Sequence, residues 1–214
     1  MSCSGDLREL AKGIFNCSKN CNGVCRRDPQ KGIVPRYFAV YPAICPQKRI
    51  DGIICGENPG RTSAYEGLWW REIINKGEDP LVAYGEYVKT GIGFPDKYFY
   101  LPYGAVKEEV DLPSPIVYFT NLAKCEYEDD EVVSNAIQGC RCFLTKEIAI
   151  MKQYGLVSEN TPVFLLGADA FDGGDAFFRE AGFKKVGRRP HPSRTFSSRS
   201  IERYKEIWRG WAGK

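Results

Sequence analysis

Four short apolar runs, each closed by a turn signal and separated by stretches of helical spacing, set the pattern of the chain. Asp51 to Cys55 (DGIIC), Pro115 to Leu122 (PIVYFTNL), Pro162 to Leu166 (PVFLL) and Phe183 to Val186 read as buried strands. Between and around them the spacing becomes helical. Asp6 to Phe15 places Leu7, Leu10, Ala11 and Ile14 on one face, and Ser63 to Asn75 opens with Ser63 as a cap and Glu66 three residues on. Glu131 to Tyr154 predicts a long helix, Ala168 to Ala181 another, and Ile201 to Trp211 a basic amphipathic one. Cys25 to Lys48 is loop-rich, and Gly77 to Pro113 reads as an irregular, aromatic-rich insertion. Strands alternating with helices predict a single α/β domain over residues 1–214. Its centre would be a parallel four-stranded sheet with helices on both faces, an α/β/α sandwich.

Composition narrows the function classes. Of the 214 residues, 43% are hydrophobic and 27% charged, which argues against disorder and coiled coil. No apolar run reaches the roughly 18 residues of a membrane span, and Met1 to Glu9 lacks a signal-peptide pattern. The expectation is a cytoplasmic protein without membrane contact. The net charge of +3 conceals an asymmetry. Residues 184–214 carry ten basic side chains against two acidic ones, a net +8, leaving −5 for the rest. Such a segment suits a polyanionic partner, because each neutralised phosphate releases counterions; a solvated terminal helix is its plainer role.

Nine cysteines without a secretion signal, in an odd number, argue against a disulfide framework. Cys17, Cys21 and Cys25 lie four residues apart, and Cys125, Cys140 and Cys142 form a second group about a hundred residues later. A close set and a distant pair suit one soft metal centre that ties two chain regions together. Four thiolates hold zinc or an iron–sulfur cluster, and spacing alone does not separate the two. Cys55 and Cys45 suit the role of small buried hydrophobes.

In a doubly wound sheet, ligands bind beyond the carboxyl ends of the strands. Three polar motifs stand there: Gly56-Glu57-Asn58-Pro59-Gly60, Thr120-Asn121 and His191-Pro192-Ser193. Each also has a plain role as turn, strand end or surface. The first is no Walker phosphate loop, because the glycines are too close and Arg61 stands where lysine is required.

Taken in order, four segments carry a resemblance. They are Gly56-Glu57-Asn58-Pro59-Gly60, Thr120-Asn121-Leu122-Ala123-Lys124-Cys125, Cys140-Arg141-Cys142-Phe143-Leu144 and His191-Pro192-Ser193. Together they resemble the uracil-DNA glycosylase superfamily, most closely its iron–sulfur (family 4) branch, over about Leu7 to Trp211. The fourteen residues between Cys125 and Cys140 are the most specific element. Asn58 departs from that branch, which has a small residue there. It is similar instead to the mismatch-specific (family 2) branch, whose following Ser-Ala also occurs here as Ser63-Ala64. The amino-terminal cysteines depart too, with two Cys-x-x-x-Cys steps where the family has Cys-x-x-Cys.

The resemblance implies a base excision repair enzyme that flips uracil from DNA and hydrolyses its N-glycosidic bond, leaving an abasic site. His191 would donate a hydrogen bond to uracil O2 as charge grows there. Glu57 or Asn58 would orient the water, and Asn121 would read the O4 and N3 edge. Trp69, Trp70 and Tyr65 are candidates for the stacking platform, with helix core the other role for at least one of them. Gly56, Gly60, Ser193 and Arg194 would meet the nucleotide, with Arg194-Thr195-Phe196 at the intercalating loop. Gly60 replaces the tyrosine that excludes 5-substituted pyrimidines in strictly uracil-selective enzymes. A [4Fe-4S] cluster, zinc being the alternative occupant, would be held by Cys17, Cys21, Cys125 and Cys140, with Cys25 as alternate to Cys17. The expected partner is single- or double-stranded DNA containing uracil, bound by a monomer in a prokaryotic-type, nucleoid-associated setting. The competing classes are a non-catalytic nucleic-acid-binding module on the same fold, a glycosylase for other deaminated bases or mismatched thymine, and a zinc-stapled nucleotide-binding protein.

Overall fold

The computed structural model describes residues 2–18, 25–36, 40–41, 49–89, 117–127 and 133–189. Helices α1 (Cys3–Phe15), α2 (Ala64–Lys76), α3 (Pro80–Lys89), α4 (Val133–Gln153) and α5 (Ala168–Glu180) accompany seven strands. These are β1 (Cys25–Arg26), β2 (Val40–Tyr41), β3 (Gly52–Gly56), β4 (Val117–Asn121), β5 (Glu126–Tyr127), β6 (Val163–Leu166) and β7 (Val186–Arg189).

The main sheet runs β2-β4-β3-β6-β7. Its four long strands are parallel, as the apolar runs predict, and β2 is an antiparallel addition at the edge. Strand β3 is central. Ile53, Ile54 and Cys55 point alternately to opposite faces, and all three are buried, so both faces of the sheet are covered there. From β3 the chain passes to β4 on one side and later to β6 on the other. That reversal makes a topological switch point at the carboxyl end of β3, where such sheets open a crevice. A separate ribbon pairs β1 with β5, Cys25 opposite Tyr127 and Arg26 opposite Glu126.

Two local predictions need correction. The span read as irregular contains α3. Asp79 accepts the amides of Leu81 and Val82, Pro80 sits at the first helical position, and Leu81, Ala83, Tyr84 and Tyr87 are buried on one face. Aromatic composition disguises that helical period. The last strand lies at Val186–Arg189 rather than at 183–186, because Gly182 ends the preceding helix with φ 85° and Phe183 turns into the core. Elsewhere the capping box predicted for α2 is present, with Ser63 and Glu66 each accepting the other's amide. The predicted helix over 201–211 lies outside the described residues.

Trp70 is fully buried among Phe15, Trp69, Tyr84 and Tyr87, ring centroids 4.7–6.1 Å apart. It belongs to the core and is no platform for a base. Cys3 is disulfide-bonded, against the expectation of no disulfide framework, whereas Cys17, Cys55, Cys125, Cys140 and Cys142 are not. Among the described residues no helix is long and apolar enough to cross a membrane.

Candidate functional site

Strands β3 and β4 end side by side, and their register sets Gly56 opposite Asn121. A Cβ on Gly56 would overlap the Asn121 side-chain oxygen, so glycine is what lets this amide lie against the strand end. Asn121 is only 6% exposed, and among the described residues its Nδ2 has no hydrogen-bond partner. A buried, unsatisfied amide costs about 1–3 kcal/mol, so a native site that keeps one calls for an explanation such as a ligand.

Beyond Gly56 the loop is stitched to the segment after β4. The amides of Leu122 and Ala123 donate to the carbonyls of Gly56 and Glu57 at 2.9 and 2.8 Å. The half-buried Glu57 accepts a hydrogen bond from the Tyr127 hydroxyl at 2.6 Å. Asn58 turns inward on its own loop, its Oδ1 accepting the Gly60 amide at 2.5 Å where Gly60 adopts φ 72°. Among the described residues a Cβ at Gly60 would meet nothing within 4 Å, so they leave the space there open.

A buried charge cluster holds the far end of this loop. Arg36 donates to the Pro59 carbonyl at 3.3 Å and to the Thr62 hydroxyl, and it pairs with Glu66 and, at 3.4 Å, with Glu126. Glu126 also accepts the Thr62 amide and hydroxyl, each at 2.6 Å. Arg36 reaches the loop because Gly32, at φ 72°, lets the 29–31 turn lie directly on the backbone of Gly67 in α2. Beneath Asn121 a second cluster forms around Lys124, 1% exposed. Its ammonium contacts Glu147 at 2.5 Å, the Thr120 hydroxyl at 2.5 Å and the Asn121 carbonyl at 2.8 Å. Glu147, fully buried in α4, also accepts the hydroxyls of Tyr118 and Thr120.

The second cysteine group is partly assembled. Cys125 donates to the Cys140 sulfur, which also accepts the Lys124 amide at 3.3 Å. That thiol hydrogen bond, helped by the Lys124 amide and charge, lowers the Cys140 pKa to about 6 against the cost of burial. Cys55 behaves oppositely, because complete burial pushes its thiol far up and keeps it neutral. Thus Cys125 and Cys140 hold two sulfurs together, with Cys140 poised to ionise, the donor type that an iron–sulfur cluster or zinc requires. Cys17, half-buried at the end of α1, does not join them. Among the described residues no three His, Cys, Asp or Glu side chains gather as a metal site. The backbone of Cys25, by contrast, pairs with Tyr127, two residues from Cys125.

Gly56, Glu57, Asn58, Gly60 and Asn121 therefore share one strand-end site. Trp69 lies half-buried in α2, edge-on to Trp70, while Tyr65 on the same helix is 67% exposed and is the freer surface for stacking. His191, Ser193, Arg194 and Cys21, with the side chain of Cys25, lie outside the described residues. Sequence reasoning missed Tyr127, Arg36, Glu126 and Glu147, which reach the motif loops across 23 to 70 positions. Local spacing carries no sign of such pairs. No protein-family model matches the chain, and no curated protein matches it.

Proposed function

We propose that this chain is a DNA glycosylase of the uracil-DNA glycosylase type, which takes uracil out of the helix and hydrolyses its N-glycosidic bond. The observation that carries the reading is the buried Asn121 amide, its Nδ2 without a partner among the described residues, one position from the Glu57 loop at the switch point of a parallel sheet. Uracil offers O4 as an acceptor and N3–H as a donor, and one side-chain amide satisfies both. Cytosine presents the reverse at its exocyclic position and would leave the amide unpaired. Flipping costs a few kcal/mol, which the satisfied amide helps to offset.

Of the two candidates for holding the attacking water, the geometry favours Glu57. The Asn58 oxygen is occupied in shaping the loop, whereas the Glu57 carboxylate is fixed from outside the loop and takes a proton as general base. His191, the sole histidine, supplies the hydrogen bond to O2 as negative charge develops on the leaving base. Ser193, Arg194 and the basic residues up to Lys214 would contact phosphates.

A cluster fits the Cys125–Cys140 pair, and the strand pairing of Cys25 favours it over Cys17 as the partner of Cys21. Bound there, the cluster would serve as a structural staple between the amino-terminal segment and the loop after β4, with no step of the hydrolysis passing through it. Iron and sulfide analysis of anaerobically purified protein checks this. Cys25→Ser should lose the metal and Cys17→Ser should keep it.

The decisive assay is single-turnover cleavage of an oligonucleotide with one uracil, followed by alkali. Wild type should give strand scission, and His191→Ala and Glu57→Ala should lose about 100-fold or more of the rate. The open space at Gly60 favours a second reading, in which mismatched thymine or hypoxanthine is also released. Faster cleavage of either would displace uracil as the main substrate. Tight DNA binding without scission on all three would instead identify a non-catalytic reader.

A further inference from the structure

Tyr127 lies outside every motif singled out above, yet it touches the residue on which the proposed chemistry turns. Its hydroxyl donates to Glu57 Oε1 at 2.6 Å, a separation typical of a charge-assisted O–H···O⁻ bond. The phenol is itself held firmly. Its ring is buried against Ala123 and Ala136, with Ile137 beside them, in a small cluster apart from the main core. Its backbone is paired with Cys25 in the β1–β5 ribbon. The adjacent Glu126 grips the amide and hydroxyl of Thr62 at the other end of the same loop. Strand β5 thus holds the 57–62 loop at both ends, and of these two contacts it is that of Tyr127 that reaches a candidate catalytic group.

We propose that Tyr127 is a positioning residue for base release: its hydroxyl fixes the Glu57 carboxylate in the one orientation from which that group takes the proton of the attacking water. This rests on the glycosylase reading given above. A buried phenol needs a hydrogen-bond partner, and many backbone carbonyls would have served. Taking a half-buried carboxylate at the carboxyl end of the central strand instead confines that carboxylate's rotamers before substrate arrives. Such pre-organisation is worth much in rate, since small misplacements of a catalytic group cost large factors.

The test is a double-mutant cycle on the uracil oligonucleotide under single-turnover conditions, with Tyr127→Phe, Glu57→Gln and the pair. Tyr127→Phe keeps the ring and its packing. It should lower the maximal rate by about 10- to 100-fold while the half-saturating protein concentration stays at the wild-type value. In the Glu57→Gln background the same change should have almost no further effect, because the group it acts through is gone. An unchanged rate in Tyr127→Phe overturns the assignment. So does an equal fold-loss in both backgrounds, which would mark a merely structural hydroxyl, and so does a Glu57→Gln enzyme as fast as wild type. Those three outcomes leave a uracil glycosylase standing without this device. Wild type that releases no base from uracil, hypoxanthine or mismatched thymine is a different failure, because it removes the glycosylase reading and the assignment with it.

Discussion

Asn121 and Gly56 make a pair in which stability and function pull apart. With no partner for Nδ2 among the described residues, the buried amide is a burden on the fold, so removing it relieves a desolvation cost of about 1–3 kcal/mol. Truncating the side chain also leaves a small cavity, which costs a comparable amount. Asn121→Ala should therefore unfold in urea within about 1 kcal/mol of wild type, while losing most of its activity on uracil. A large stability loss would show instead that the amide has a structural partner. Gly56→Ala is the converse case. The added methyl must displace the Asn121 oxygen, and overpacking at so rigid a strand end should cost about 1–3 kcal/mol in urea melts and misplace the amide as well. At this scale the sequence was informative about which residues stand at strand ends, since Gly56 and Asn121 each terminate an apolar run. It said nothing of the steric reason for the glycine, which exists only once two strands 65 positions apart lie in register.

The elements are held beneath the site by two buried charge clusters, and each joins an element to a loop. Lys124 and Glu147 tie α4 to the end of β4, with Thr120 and Tyr118 completing the carboxylate's hydrogen bonds. Breaking such a pair by removing one partner leaves a charge buried without its counter-ion, at a cost of about 3–5 kcal/mol, whereas replacing both with apolar residues is often near neutral. Lys124→Met should accordingly shift the urea midpoint far down, and Lys124→Met with Glu147→Leu should recover most of the loss. If the double variant were as unstable as the single one, the hydroxyls of Tyr118 and Thr120 rather than the ion pair would be the dominant contacts. Helices α1, α2, α4 and α5 and three of the four parallel strands were legible as periodic patterns, because each buries one face or two within its own span. Helix α3 was hidden by its tyrosines, Tyr84 and Tyr87, whose rings pack on Trp70 rather than covering a site. The charge clusters were illegible in principle, since a lysine or arginine in a sequence looks the same whether it ends in solvent or against a glutamate.

Across the whole molecule, the cysteines connect the sheet, α4 and the segment that stitches the first motif loop, and they give folding a distinctive pH dependence. Two thiols are shifted in opposite directions. Cys140 ionises at about 6 in the folded chain, against 9.0 for an ordinary thiol, because Cys125 and the Lys124 amide hydrogen-bond to its sulfur. Between these values the unfolded chain carries a proton that the folded chain has released, so stability rises with pH. The contribution is complete above about 9 and is lost as pH falls through about 6. Burial shifts Cys55 upward, so above the ordinary thiol value the unfolded chain ionises there and the folded chain does not, and stability falls again. Tyr87, raised chiefly by burial, adds to that fall at still higher pH. Urea midpoints of the reduced, chelator-treated protein should therefore climb from pH 6 to a maximum near pH 9 and then decline. Cys140→Ser should flatten the rising limb and leave the declining one, and Cys55→Ala should weaken the decline without touching the rise. A rising limb that survives in Cys140→Ser would mean that other groups set it, and that the pair of Cys125 and Cys140 is an ordinary buried contact rather than sulfur prepared for a metal.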